Sequence, residues 1–158
     1  MQELFASLPT TTTADFLMDT CMLYYLIEHQ HTKALREFCA KHVVGITSFN
    51  LEEVLHHAHH VNHNVRERLR HEIKNGLQLH VVVVPVHPGN VDMEKSFVSA
   101  YDPKILRLCP DPSDAVLFVQ AAKMGANVLT RDKHHLFTTK LENYAQEAQI
   151  SIYNNLVG

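Results

Sequence analysis

Short apolar segments typical of buried strands alternate with longer helix-like segments along the whole chain. The clearest strand is residues 79–84, and further strands are predicted at residues 15–18, 42–46, 127–130 and 150–153. Strands that alternate with helices predict an α/β fold, a mostly parallel sheet with helices on both faces. Right-handed crossovers then place the carboxyl end of every strand at one edge of the sheet, where open sheets bind their ligands.

The helices are predicted from their capping residues. Ser48 or Asn50 caps a helix that runs to residue 60, breaks near residue 62 and resumes to residue 75, before Gly76. Asp111 caps a helix that Gly125 ends. The other predicted helices are residues 21–29, 32–41, 91–100 and 141–149.

Composition narrows the class of protein. A chain of 158 residues with 46% hydrophobic residues fits a single domain with an apolar core. The longest purely apolar run, residues 81–84, is too short to span a membrane, and the first residues lack the pattern of a secretion signal. Three widely spaced cysteines without a C-x-x-C pair favour a reducing, cytoplasmic setting over a disulfide framework. The net charge of −3 argues against a basic nucleic-acid coat, but it is compatible with an enzyme that has a local basic patch.

Four acidic residues fall where a predicted strand gives way to a helix, or just inside the helix: Asp19, Glu53, Asp114 and Asp132. In a parallel sheet they converge on one rim. The alternative for each acid alone is that it stabilises a helix N-terminus, and Asp114 in its D-P-S-D segment has the most complete explanation of this kind. Glu52 adjoins Glu53, so the helical register leaves open which of the two faces the rim.

A group of carboxylates in one partly buried site is tolerable when a divalent cation neutralises their mutual repulsion. Hard oxygen ligands without a His/Cys pattern indicate Mg²⁺ or Mn²⁺ rather than zinc. Water molecules carried by such an ion are nucleophiles for hydrolysis. The four acids therefore predict a metal-dependent hydrolytic site.

Four segments resemble the successive motifs of PIN domains, including the VapC-type toxins of bacterial toxin–antitoxin pairs. They are L-M-D-T at residues 17–20, T-S-F-N-L-E-E-V-L at 47–55, S-D-A-V-L at 113–117 and L-T-R-D at 129–132. The resemblance covers residues 16–157. It implies a three-layer α/β/α fold with about five parallel strands and an endoribonuclease that uses Mg²⁺ or Mn²⁺. It also implies a homodimer and an antitoxin protein as partner.

Carried over to this chain, the resemblance makes Asp19, Glu53, Asp114 and Asp132 the catalytic and metal-binding residues. Glu53 is preferred to Glu52 because it stands five residues after Ser48. Thr20, Thr130 and Ser113 would support the metal ligands with their hydroxyl groups. The sequence departs from the family pattern in two places, where Cys21 replaces a common Asn and Lys-His-His at residues 133–135 replaces a common acid. These departures leave one or two metal ions as alternatives.

Basic residues near the motifs are candidates for RNA contacts, namely His57, Arg66, Arg70 and Arg131. The alternative is a solvated helix face that pairs with its own acids. His56, His60 and His63 share a helical face, which is better explained as solvated than as a zinc site. Of Tyr24 and Tyr25, one is expected in the core and the other is available to stack on a base or a partner.

Two rival functions remain open. A non-catalytic PIN-like module that binds RNA or protein is favoured by the altered positions Cys21 and His135 and disfavoured by the presence of all four acids. A phosphatase or phosphoacceptor domain would need a second Asp two residues after its nucleophilic Asp, or a Lys after a late strand. It ranks third, because the chain has Cys21 two residues after Asp19.

Overall fold

The computed structural model describes residues 5–56, 63–132 and 138–156. The strands are β1 (Phe16–Met18), β2 (Val44–Thr47), β3 (Leu79–Val82), β4 (Asn127–Leu129) and β5 (Ile152–Tyr153). The helices are α1 (Thr20–Glu28), α2 (Thr32–Lys41), α3 (Ser48–His56), α4 (His63–Lys74), α5 (Val91–Tyr101), α6 (Ile105–Leu108), α7 (Pro112–Met124) and α8 (Thr139–Glu147). Within the described ranges, no helix is long and apolar enough to cross a membrane.

The five strands form one parallel sheet in the order β3-β2-β1-β4-β5. The chain first builds outward from β1 through β2 to β3, and then adds β4 and β5 on the other side of β1. The strand order therefore reverses between β1 and β4. In open α/β sheets this switch point leaves a crevice at the carboxyl ends of the two strands, where ligands bind.

Successive side chains of each strand point to opposite faces of the sheet and pack into two separate hydrophobic cores. Phe16 and Met18 point to one face of the sheet, where they pack with residues of α1, α2 and α4. Leu17 points to the opposite face and packs with residues of α5, α6, α7 and α8. Helices thus cover both faces, and the predicted three-layer α/β/α architecture is confirmed.

Gly45 in β2 is required by close packing rather than by its backbone angles. A Cβ atom at this position would lie 2.8 Å from Val82 Cγ2 and 3.0 Å from Leu17 Cδ2. Two neighbouring strands therefore bring their side chains over the glycine, and a larger residue would push them apart.

Several predicted boundaries differ from the structure. The second strand begins at Val44 rather than at residue 42, the third ends at Val82 rather than at residue 84, and the last is residues 152–153 rather than 150–153. The short helix α6 was not predicted, because four residues carry no periodic signal. The predicted caps of α3 are wrong, since Thr47 Oγ1 accepts the backbone N–H of Asn50 at 3.0 Å, and the Ser48 hydroxyl instead accepts the N–H of Val84.

Candidate active site

A cleft of about 450 Å³ opens at the switch point between β1 and β4. The backbone N–H of Asp19 donates to the carbonyl of Leu129 at 2.9 Å, which ties the end of β1 to the end of β4. The residues that line the cleft are Asp19, Thr20, Cys21, Tyr24, Asn50, Glu53, Val54, Asp114, Arg131 and Asp132. The four acids singled out in the sequence thus share one cleft.

Thr130 holds the two acids at the strand ends in a fixed relation. Its fully buried hydroxyl donates to Asp19 Oδ2 at 3.2 Å and accepts the backbone N–H of Asp132 at 3.0 Å. Thr20 Oγ1 lies 3.5 Å from the other carboxylate oxygen of Asp19. The Asp19 carboxylate is therefore held by one hydroxyl group just after β4 and by another in the first turn of α1.

Glu53, not Glu52, faces the cleft. Thr47 Oγ1 donates to Asn50 Oδ1 at 2.7 Å, and Asn50 Nδ2 donates to Glu53 Oε1 at 3.3 Å. Glu52 points away from this chain of hydrogen bonds and lies 2.7 Å from His87 Nδ1. The register ambiguity is resolved in favour of Glu53.

Asp114 is not the capping residue of its helix. Asp111 is the N-cap of α7, and its side chain accepts the backbone N–H of Ser113 at 2.9 Å. Burial first, and then a hydrogen bond between Asp114 and Asp132, raise the pKa of Asp114 to about 9. Without a bound cation Asp114 therefore favours its protonated form at neutral pH.

The other acids of the cleft are also shifted toward the protonated form. Burial raises the pKa of Asp19, and hydrogen bonds to its carboxylate oppose the rise. Burial and the negative charge of Asp19 are the two largest causes that raise the pKa of Glu53 to about 7. The cleft is therefore an environment of strongly unfavourable negative potential, which a cation would relieve.

Comparison with known proteins places these motifs in one family. The PIN-domain family model matches residues 16–139, a range that includes all four acids of the cleft. The chain belongs to the PIN-domain family. PIN domains are in general nucleases that use divalent metal ions.

A similar fold is found in the crystal structure of VapBC2 from Rickettsia felis bound to a DNA fragment from their promoter. A chain of that structure matches with a TM-score of 0.56 and 12% sequence identity, over 88% of this chain and 98% of the other. At this identity the likeness shows the fold. A search of curated proteins finds no significant match.

The donor set of the cleft fits the divalent ions that PIN domains use. Every acid that lines it offers carboxylate oxygens, which Mg²⁺ and Mn²⁺ prefer. Among the residues that the structure describes, no three His, Cys, Asp or Glu side chains already converge on a single ion position. Asp114 and Asp132 instead contact each other. A cation bound by both carboxylates would replace this contact.

The predicted supporting hydroxyl groups divide into two sets. Thr20 and Thr130 contact Asp19 inside the cleft. Ser113 does not line the cleft in the described part of the chain, and its hydroxyl donates to Glu94 Oε1 at 3.0 Å.

Among the candidate RNA contacts, Arg131 lines the cleft. Arg66 lies close enough to Tyr24, another lining residue, for its positive charge to act on the tyrosine hydroxyl. Arg70 is four residues further along α4 and is not among the described residues that line the cleft. His57 lies outside the described residues, as do His60 and residues 133–135.

Two residues that influence the site were not predicted for it. Asn50 was considered only as a helix cap, yet it is buried and holds Glu53. Glu94 on α5 is 3% exposed, and its negative charge helps to raise the pKa of Glu53, after burial and the charges of Asp19 and Asp111. The burial of Glu94 could have been predicted from its position four residues before the apolar Val98, on the same face of the helix.

Proposed function

We propose that this PIN domain is an endoribonuclease that hydrolyses RNA phosphodiester bonds with Mg²⁺ or Mn²⁺. The observation that carries the proposal is the placement of Asp19, Glu53, Asp114 and Asp132 in one cleft at the switch point of a parallel sheet. The raised pKa values of Asp19, Glu53 and Asp114 are the expected consequence of carboxylates assembled for a cation that is part of the working site.

In this proposal Asp19, Asp114 and Asp132 hold the cation, and Glu53 lines the same cleft. A bound divalent ion would supply an activated water and would offset negative charge on the phosphate. Thr130 keeps Asp19 and the backbone of Asp132 in register through its two hydrogen bonds. On the other side, Asn50 fixes the direction of Glu53.

Arg131 is the positive group of the cleft and is suited to bind a substrate phosphate. Tyr24 closes the same cleft beside Arg66. The Nε atom of Arg66 and the Tyr24 hydroxyl oxygen are buried, and neither has a hydrogen-bond partner among the described residues.

The test is cleavage of a labelled single-stranded RNA by the purified protein. We expect cleavage with Mg²⁺ or Mn²⁺ and none with excess EDTA. Asp19→Asn and Asp114→Asn should each lower the rate at least ~100-fold, because they remove a metal ligand. The matched control is Glu52→Gln, since Glu52 contacts His87 instead of the cleft and its replacement should leave the rate unchanged. Equal rates for Asp114→Asn and the unaltered protein would contradict the proposal.

A second candidate is a non-catalytic module that binds RNA, and Cys21 favours it. This residue lines the cleft where the family pattern commonly has an amide side chain. Desolvation and the nearby Asp19 carboxylate raise the pKa of the Cys21 thiol to about 12, so it stays a neutral thiol at physiological pH. Tight RNA binding in EDTA, together with no turnover in Mg²⁺ or Mn²⁺, would select this candidate.

The proposal extends to protein partners. The structural neighbour from Rickettsia felis was crystallised as VapBC2, which supports an antitoxin-like partner for this chain as well. A homodimer is proposed from the family resemblance. Light scattering of the purified chain should give the mass of two subunits, and a monomeric mass at all concentrations would reject the dimer.

A further inference from the structure

Three planar side chains form a continuous column that starts at the edge of the acidic cleft. The Arg131 guanidinium carbon lies 4.0 Å from the centre of the Tyr25 ring. The ring of His29 stacks on the same tyrosine, with ring centres 4.4 Å apart and planes inclined by 29°. Tyr25 thus lies next to both groups, and the ring of His31 lies farther away, with ring centres 6.1 Å apart.

Arg131 and His29 are held by backbone carbonyl oxygens, and Tyr25 is held by the core. Arg131 Nη1 donates to the carbonyl oxygen of Asn154 at 3.1 Å, and Tyr25 packs against the core on one side of the sheet. His29 Nδ1 lies 3.1 Å from the carbonyl oxygen of Tyr25. A stack that is already ordered costs less conformational entropy when a ligand binds to it.

The guanidinium group of Arg131 is held by a ring and a carbonyl oxygen. It lines the same cleft as four carboxyl groups, yet no ion pair joins it to an acid in the described ranges. Tyr25 and the Asn154 carbonyl instead hold the guanidinium beside the acids. An arginine kept in this way beside a proposed cation site is suited to a second phosphate.

We propose that the column formed by Arg131, Tyr25 and His29 binds the nucleotides of single-stranded RNA that adjoin the scissile bond. Arg131 contacts a neighbouring phosphate, and a base stacks on the ring of His29, which is an exposed residue. This inference rests on the proposed function and adds a direction to it, because the RNA must leave the cleft along α1. It also requires an unpaired substrate, since a base within a duplex has no face available for His29.

The test measures binding separately from cleavage. Full-length protein carrying Asp114→Asn is titrated, in EDTA, into a short fluorescein-labelled single-stranded RNA, and fluorescence anisotropy gives the dissociation constant. Adding His29→Ala or Tyr25→Leu should weaken binding by about tenfold, the scale of one lost base stack. Tyr25→Phe keeps the ring and should bind normally. His71→Ala removes an exposed histidine of α4 outside the column and is the matched control.

A second measurement assigns the effect to stacking. The same RNA is made with one base removed at each position in turn. At one position, removing the base should weaken binding to the Asp114→Asn protein that retains His29. The same RNA should bind the protein that also carries His29→Ala no more weakly than the intact RNA does, because the stacking contact is already lost. A duplex of the same sequence should bind equally to the two proteins.

Equal affinities for His29→Ala and His71→Ala would overturn the inference, and so would additive effects of base removal and His29→Ala. Since His29 is exposed, its variant tests the column even if Tyr25→Leu fails to fold. Cleavage by the unaltered protein with Mn²⁺ decides the proposed function independently. If the unaltered protein cleaves RNA but the column variants bind RNA normally, the proposed role of the column is refuted and the proposed function is not.

Discussion

Replacing Asp114 with asparagine should stabilise the cation-free protein at mildly alkaline pH. The pKa of Asp114 is raised from 3.8 to about 9, so the folded protein keeps this carboxyl group protonated over a pH range in which the unfolded chain ionises it. Folding then takes up a proton, and the stability is lost as pH rises from the unfolded pKa toward the folded one. Asparagine does not titrate, and its amide can donate to Asp132 as the protonated carboxyl group does.

The expected size of the effect follows from the shift. At 1.36 kcal/mol per pKa unit a fully desolvated group would change the free energy of unfolding by ~7 kcal/mol. Asp114 is only partly buried, and solvent screening reduces this to ~2 kcal/mol. For a domain of this size that corresponds to about 4–8 °C in the melting temperature.

The assay is thermal unfolding followed by circular dichroism in EDTA, at about pH 5 and about pH 8. The unaltered protein should lose stability between the two pH values, and Asp114→Asn should lose less. Part of the loss should remain in the variant because the pKa of Glu53 is raised to about 7. Glu37→Gln, at an exposed position of α2, should behave like the unaltered protein. An equal pH-dependent loss in Asp114→Asn would refute the reasoning.

Three further predictions concern the fold and the site. Gly45→Ala should lower the free energy of unfolding in urea by ~1–3 kcal/mol, because its Cβ would meet Val82 at 2.8 Å; an unchanged midpoint would contradict this packing. Glu94→Ala should lower the pKa of Glu53 in a carbon-13 NMR titration of the cation-free protein, because it removes a buried negative charge. An unshifted titration would exclude that coupling. Saturating Mn²⁺ at about pH 8 should raise the melting temperature of the unaltered protein but not of Asp19→Asn, and an equal rise in both would place the ion elsewhere.

The fold and the two acids at strand ends could be predicted because they follow from local pattern and chain direction. Alternating strands and helices predict parallel strands. Parallel strands bring Asp19 and Asp132 to one edge of the sheet, however the helices pack against it. The family model and the structure agree with that expectation.

What could not be predicted depended on contacts between distant segments. Adjacent residues of a helix point in directions about 100° apart, so the sequence of α3 allowed either Glu52 or Glu53 to face the cleft. Asn50 holds Glu53 toward the cleft. His87, which is 35 residues away from Glu52 in the sequence, holds Glu52 away from it. Glu94 was missed because a charged residue on a helix is ordinarily solvated, and its burial depends on the packing of α5 against α7.

The central claim is that the acids of the cleft form a divalent-cation site. It is tested most directly by soaking crystals of the protein in Mn²⁺ and recording anomalous diffraction at the manganese edge. The account predicts an anomalous peak within coordination distance of Asp19, Asp114 and Asp132, and the loss of that peak in Asp114→Asn crystals. A map without a peak in this cleft at saturating Mn²⁺, or with a peak that Asp114→Asn leaves unchanged, would contradict it.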